Sequence, residues 1–321
     1  MTDQLTTKLY IIHSAALPLF YFIGKYLASK YRNQLSMSII LLAISIISAL
    51  PHLYITITDV FSSGLINPER TISILDDDDS INVTLRVVFL SLSLGLFGII
   101  VHRSQNKLEK KIKTIALAFA VMALLCVIHY VSRTGLTLLV ASIIVGILYT
   151  RRLRTLSIFI MTIIIFIVVW QWQSIQTSEL FSIYAEREIE GSSFQDAGGR
   201  VEIWQEFLSK ISSHPFGGIT SREYNYAHNL WLDITRIAGV IPFILLLLFS
   251  IINIRNLYTR CFKTQGYCLY KRILFLWGIT FLLQLSIEPI FQGAPYYLML
   301  YTLFCGIVNS ATTHKVCNQQ E

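Results

Sequence analysis

The chain has 321 residues, of which 54% are hydrophobic and only 14% charged, with a mean hydropathy of +0.59. A soluble domain carries about 25% charged residues, so this composition excludes a solvent-covered globule and specifies a chain that crosses a bilayer several times. The formal net charge of +7 then needs no nucleic-acid partner, because basic residues collect in cytoplasmic loops.

In chain order, nine apolar runs approach the about 20 residues that span a hydrocarbon core: 9–29, 37–57, 83–102, 114–131, 134–150, 156–173, 239–254, 273–290 and 295–311. The predicted fold class is an all-α polytopic membrane protein of about nine transmembrane helices. Pro51 sits near the end of the second run, where a helix tolerates it. The first run follows MTDQLTTKLY. It lacks the basic flank and cleavage site of a signal peptide.

Loop charge sets the predicted orientation. Segments 103–113, 151–154 and 255–272 hold five, three and five basic residues with one acid among them, so they are placed in the cytoplasm. Segments 58–82, the Ser132-Arg133 turn, 174–227 and 288–295 then face outward, in strict alternation. The run Asp76–Asp79 reads as a solvated loop, since it lacks the glycine and spacing of a calcium loop. The five cysteines show no CxxC or Cys/His cluster, which predicts buried thiols rather than a metal site or disulfide framework.

The long polar segment divides the chain into 1–173, 174–238 and 239–321. Stretch 174–227 carries eight acids and four bases, and at that length it is more than a connector. From Arg200 it turns helical in period: Val201, Trp204, Leu208 and Ile211 share a face, with Phe207 beside them. Gly198-Gly199 permits the turn into that helix, and Ser213-His214-Pro215 ends it. An amphipathic helix on the membrane surface accounts for the aromatic residues. It does not account for the arginine that opens the helix.

Arginines on the outward side run against the usual bias. Arg133 ends a helical hairpin, Arg200 opens the amphipathic helix, and Arg187 and Arg222 lie elsewhere in the long segment. Arg133 and Arg200 are the candidate diphosphate-binding residues, because a guanidinium presents a planar donor fork and keeps its charge. Snorkelling of Arg133 to the headgroups is the plainer alternative. His228, in AHNLW, is the candidate catalytic base or phosphate donor, with an unperturbed pKa of about 6.5; an interfacial histidine beside Trp231 is the alternative. His129, four residues before Arg133, is a secondary candidate on the same predicted helix face. Arg222 and His214 are secondary too, and His214 before Pro215 also reads as a turn residue.

The string GGRVEIWQEFLSKISSHPFGGI, then AHNLWLDITRIAGVIPFILLL, with SRTG at 132–135, resembles the O-antigen polymerase and ligase superfamily. Thr220 and the IAGVIP segment depart from that family's glycine pattern. The resemblance implies a membrane-embedded, C-type, inverting glycosyltransferase with one large periplasmic loop in the bacterial inner membrane, needing no metal or cofactor. It implies a donor glycan on undecaprenyl diphosphate and an acceptor sugar hydroxyl. It also implies a chain-length regulator and a flippase as pathway partners. By position, Arg133 and Arg200 hold the diphosphate, and His228 activates the acceptor or assists the leaving group. Family members commonly have about a dozen helices, so nine predicts a short or truncated member. Polymerase and ligase readings both remain open. A transporter would place ionisable residues deep in helices and show internal repeats; Lys25 and Arg86 lie near predicted helix ends, and no repeat is visible.

Overall fold

A computed structural model of the protein describes residues 2–31, 33–67, 83–149, 200–218, 227–262, 268–288 and 290–311. The first five helices are α1 (Thr2–Lys30), α2 (Gln34–Ser63), α3 (Val83–Gly95), α4 (Lys107–His129) and α5 (Arg133–Leu148); a 3-10 turn, Leu96–Ile99, continues α3. After the long segment come α6 (Arg200–Ile211), α7 (Leu230–Ala238) and α8 (Val240–Leu257), the last running into a π turn at Tyr258–Phe262. The chain continues through α9 (Leu269–Ile287), α10 (Ile290–Gly293) and α11 (Pro295–Ser310). Each expected span coincides with a helix except 156–173, which lies outside the described residues. Among the described residues, the helices at Gln34–Ser62, Lys107–His129, Val240–Phe262 and Leu269–Ile287 are long and apolar enough to cross a membrane. Arg86–Ile99 and Arg133–Leu148 are shorter apolar helices.

Local chemistry explains the helix boundaries. Asn33 caps α2 by accepting from Leu35 N at 3.0 Å, and Asn106 caps α4 by accepting from Glu109 N at 2.8 Å. Glu109 Oε2 reaches back to Gln105 N at 2.7 Å, the reciprocal arrangement that satisfies two exposed donors at once. The expected second span, 37–57, is too short. Asp59 is buried and bonded, to His129 Nε2 at 2.9 Å and Asn67 Nδ2 at 3.1 Å, so its charge does not stop α2. That helix therefore carries Pro51 in its interior.

The core gathers around α9. Trp277 donates to Ser45 Oγ on α2 at 3.1 Å, and Phe281 packs on Tyr297, Tyr301 and Phe304 of α11 with ring centroids 5.0, 5.5 and 5.2 Å apart. A second cluster, including Leu53, Val87, Leu90, Val127 and Leu138, fills the space among α2, α3, α4 and α5. Helix α1 lies along α11 at glycine crossings. A side chain at Gly24 would strike the Leu303 carbonyl, and one at Gly306 the Tyr21 carbonyl. Small residues at such crossings let two backbones approach, which in lipid substitutes for the missing hydrophobic drive.

Helix ends sort into two sets. At one end lie the described parts of the basic segments 103–113 and 255–272: Lys113 Nζ donates to the carbonyls of Ile100 and His102, Arg272 sits 5.0 Å over the Tyr149 ring, and Tyr149 donates to the Cys261 carbonyl at 2.7 Å. Here Arg260 bonds the carbonyls that end α11, at Val308 and Asn309. The α2 exit, the α4–α5 turn and the α9 C-terminus meet at the other end. Cys126, Cys261 and Cys305 are buried free thiols, as expected. Cys268 is disulfide-bonded, which corrects the expectation of thiols throughout.

Candidate functional site

The turn that carries Arg133 follows from its backbone bonds. Ser132 N donates to Val127 O at 3.0 Å and Val131 N to Ile128 O at 3.0 Å. That pair of bonds closes α4 in a Schellman arrangement, which needs a left-handed residue at the position Val131 occupies; its φ is 49°. Ser132 then caps α5, its Oγ accepting from Gly135 N at 3.2 Å. Arg133 is therefore the first helical residue of α5. A cation there opposes the helix dipole, at about 0.3–1 kcal/mol, so helix stability does not explain it. An anion near the same helix start would benefit from both the dipole and the guanidinium.

His129 does not share a helix face with Arg133. The expectation of a common face assumed one continuous helix, whereas the chain reverses at Tyr130–Ser132. His129 instead ties down the α2 exit. Its Nδ1 lies 3.0 Å from Leu65 O, and its backbone carbonyl accepts from Asn67 N at 2.8 Å. Because a carbonyl only accepts, Nδ1 carries a proton. On the other side of the ring, Nε2 lies 2.9 Å from Asp59 Oδ2.

His228 is held from both sides. On its N-terminal side, Ala227 N donates to Asp233 Oδ1 at 3.0 Å, and Ala227 O accepts from Trp204 Nε1 at 2.6 Å. On its C-terminal side, Asn229 caps α7 by accepting from Trp231 N and Leu232 N. His228 itself has φ 51°, a left-handed conformation that costs a non-glycine residue about 1–3 kcal/mol and is retained only where surroundings impose it. Both neighbours supply that constraint.

The segment after α6 docks on the same element. Val240 N donates to Pro215 O at 2.9 Å and Gly218 N to Ile237 O at 3.3 Å. Gly217 (φ 77°) and Gly239 (φ 86°) meet there, and a Cβ on either would strike the other strand's backbone. So α6, the HPFGG turn and the α7–α8 break form one unit. His214 is exposed, its backbone N–H bonded to Lys210 O at 3.1 Å, in keeping with a turn role. Within α6 the buried residue is Phe207, while Leu208 is 60% exposed. The inward face is thus rotated toward Phe207, with Trp204 bonded to Ala227 ahead of α7.

Two bonds bring the Arg133 turn and the His228 segment to one place. Asn229 Nδ2 donates to Ser286 O at 3.2 Å, and Thr134 Oγ1 donates to Glu288 Oε1 at 2.6 Å. Residues next to His228 and Arg133 therefore both hold the C-terminal end of α9. Arg200 opens α6, whose Trp204 anchors Ala227; its side chain, Arg222, Arg187 and Asp76–Asp79 lie outside the described residues. Sequence reasoning missed Asp59, Asp233, Arg236 and Glu288, all buried. The available signals were the charge of Glu288 at the end of an apolar run and the Asp233/Arg236 spacing of three on a helix; Arg236 Nε and Asp233 Oδ1 are 4.0 Å apart. Among the described residues no group of His, Cys, Asp and Glu is placed to hold a metal.

Residues 117–247 match the O-antigen ligase family. The match supports the O-antigen polymerase and ligase superfamily. This superfamily is one of glycosyltransferase-like membrane proteins acting on lipid-linked polysaccharide, and it covers ligases and polymerases alike. The matched stretch runs from the second half of α4 into α8 and contains Arg133, Arg200 and His228, with the secondary candidates His129, His214 and Arg222. Asp59, Arg86 and Glu288 lie outside it. No curated protein matches the chain.

Proposed function

We propose that the protein is an O-antigen or capsular repeat-unit polymerase of this superfamily. It transfers glycan from undecaprenyl diphosphate to an acceptor sugar hydroxyl at the periplasmic face of the bacterial inner membrane. The observation that carries this reading is the junction at the end of α9. Through Asn229–Ser286 and Thr134–Glu288 it holds a base-bearing segment and an arginine-bearing helix start to one element. The division into 1–173, 174–238 and 239–321 follows the same reading, with the middle unit as the periplasmic loop of a C-type enzyme of about nine spans.

In this mechanism Arg133 and Arg200 bind the diphosphate, and their positive charge stabilises the negative charge that develops as it leaves. His228 accepts the hydroxyl proton while the acceptor oxygen bonds the anomeric carbon and the carbon–phosphate-oxygen bond breaks. Attack from the face opposite the leaving group inverts the anomeric centre. The proton passes from the imidazole to solvent or to the departing diphosphate. No metal is assigned a role. A chain-length regulator and a flippase would serve the same pathway.

The ligase reading is favoured by the family description of the matched segment. In it the same site sends glycan to lipid A core. One assay separates the two. The purified protein in lipid is given an undecaprenyl-diphosphate-linked repeat unit, and products are run on a gel beside Arg133→Ala, Arg200→Ala and His228→Ala. A ladder of longer lipid-linked glycans, lost in the variants, is the polymerase result. Product that forms only when lipid A core is added is the ligase result. Absence of product from folded wild type with its native repeat would remove the enzymatic reading.

A further inference from the structure

Arg86 lies in the first turn of α3 and is 1% exposed. None of its three guanidinium nitrogens has a hydrogen-bond partner among the described residues. An arginine cannot discard its charge, and a buried polar group without a partner calls for an explanation. Asp59 and Tyr130 lie within its electrostatic reach. Asp59 Oδ2, however, is shared between His129 Nε2 at 2.9 Å and Asn67 Nδ2 at 3.1 Å. Its carboxylate serves the α2–α4 clamp.

Two further groups face Arg86. His52 on α2 lies within its electrostatic reach. The His52 ring is stacked flat on Phe89 at 4.8 Å, and its Nδ1 is buried without a partner among the described residues. The Tyr130 hydroxyl is buried at the end of α4, beside Thr56. Thr56 spends its own proton on His52 O at 2.7 Å. Imidazole and phenol, carried by α2 and the end of α4, thus lie within electrostatic reach of the α3 guanidinium, whose five donors outnumber the acceptors that one imidazole and one phenol offer.

That deficit describes the missing ligand. It must be compact, negative and able to accept from several directions. A carboxylate offers two oxygens in one plane, whereas a phosphoryl group offers three around a tetrahedral centre, one edge of which fits the guanidinium fork. We propose that Arg86, with His52 and Tyr130, forms a buried oxyanion site that takes a phosphoryl group where α4 turns into α5. A phospholipid headgroup and a lipid-linked diphosphate share that chemistry. The site does not depend on the transfer reaction proposed above, although Tyr130 is only three residues from Arg133.

The test uses the full chain in dodecyl maltoside, a detergent without phosphate. Labelled undecaprenyl diphosphate and labelled phosphatidylglycerol are titrated separately into wild type, Arg86→Met, Arg86→Lys and Tyr130→Phe. Wild type is expected to bind one of them saturably, and the tighter one identifies the source. Arg86→Met is expected to weaken that binding at least about 10-fold, since a charge-assisted bidentate contact is lost. Arg86→Lys, which keeps the charge without the fork, falls between. Tyr130→Phe removes one oxygen and tests the site even if the arginine variants fail to fold; a loss of about 3- to 10-fold is expected. Wild type that binds neither probe, or Tyr130→Phe and Arg86→Met that bind as wild type does, means that water alone fills the place and overturns the proposal. Absent glycan transfer with phosphoryl binding intact would remove the enzymatic reading and leave this site standing.

Discussion

The Trp204 indole donates to the carbonyl of Ala227 across 2.6 Å, and so the amphipathic helix reaches the residue next to His228. Trp204→Phe keeps the aromatic packing and deletes the donor. A buried carbonyl left unbonded costs about 1–3 kcal/mol. That loss falls on the segment holding His228 in its left-handed conformation. We expect glycan transfer to fall about 10-fold or more, with the melting temperature lowered by a few degrees at most while the fold is kept. Equal activity in Trp204→Phe and wild type would show that α6 does not position His228.

Asp233 holds the other side of Ala227 through its backbone N–H. Asp233→Asn keeps an oxygen that accepts this bond, whereas Asp233→Ala leaves both the N–H and the neighbouring Arg236 without it. A hydrogen bond to a charged group contributes about 1.5–3 kcal/mol. The expected order of stability and transfer is therefore wild type, then Asn, then Ala. Thermal unfolding in detergent measures the first, product yield the second. An Ala variant as stable as wild type would contradict the assignment.

Gly239 separates α7 from α8 with φ 86°, against the backbone of Pro215 and Phe216. Gly239→Ala meets a strained φ and a collision together. We expect a loss of at least about 1–3 kcal/mol and release of the HPFGG turn, read as faster protease cleavage near His214–Gly218. Gly218 also has a positive φ, but open space lies around its Cβ position. Gly218→Ala should show the smaller loss, because it carries the strain without the collision.

His102 lies past the end of α3, beyond Ile99. Burial, and then the charges of Arg272 and Lys113, push it down to about 4 from the ordinary 6.5, although Glu109 Oε2 is 3.7 Å from its Nε2. The unfolded chain takes up this proton near 6.5 and the folded chain only near 4. Between those values the unfolded state binds more protons, so stability falls as pH drops through that window and levels off below it. The His102 contribution is on the order of 3 kcal/mol. Melting profiles of wild type and His102→Gln should diverge between pH 6.5 and 4, with the variant flatter. Parallel profiles would exclude His102 as the source.

Thr134 and Glu288 join the start of α5 to the end of α9. Glu288→Gln retains an acceptor for Thr134 and is expected to keep most transfer activity, whereas Glu288→Ala frees the helix start beside Arg133. We expect the Ala variant to lose about 10-fold in affinity for the lipid-linked donor, about the 1.4 kcal/mol equivalent of one lost charge-assisted bond. If the Gln variant loses as much as Ala, the carboxylate charge itself is required.

Composition and hydrophobic period were enough to determine that the chain is helical and apolar enough to cross a bilayer, and where most of its described helices lie, because a lipid solvent admits few alternatives to an apolar helix. The order of motifs from SRTG to AHNLW pointed to Arg133 and His228 for the same reason: charge and glycine are conspicuous in an apolar chain. Tertiary structure alone decided what these residues touch. The sequence reading set His129 beside Arg133, but one left-handed residue, Val131, reverses the chain between them. The buried partners Asp59, Asp233 and Glu288 look like ordinary loop or helix-end acids in sequence. Their roles rest on contacts over separations of 70 residues between Asp59 and His129 and 154 between Thr134 and Glu288. Local propensity carries no record of such long-range pairing; packing of the helices against one another selects it.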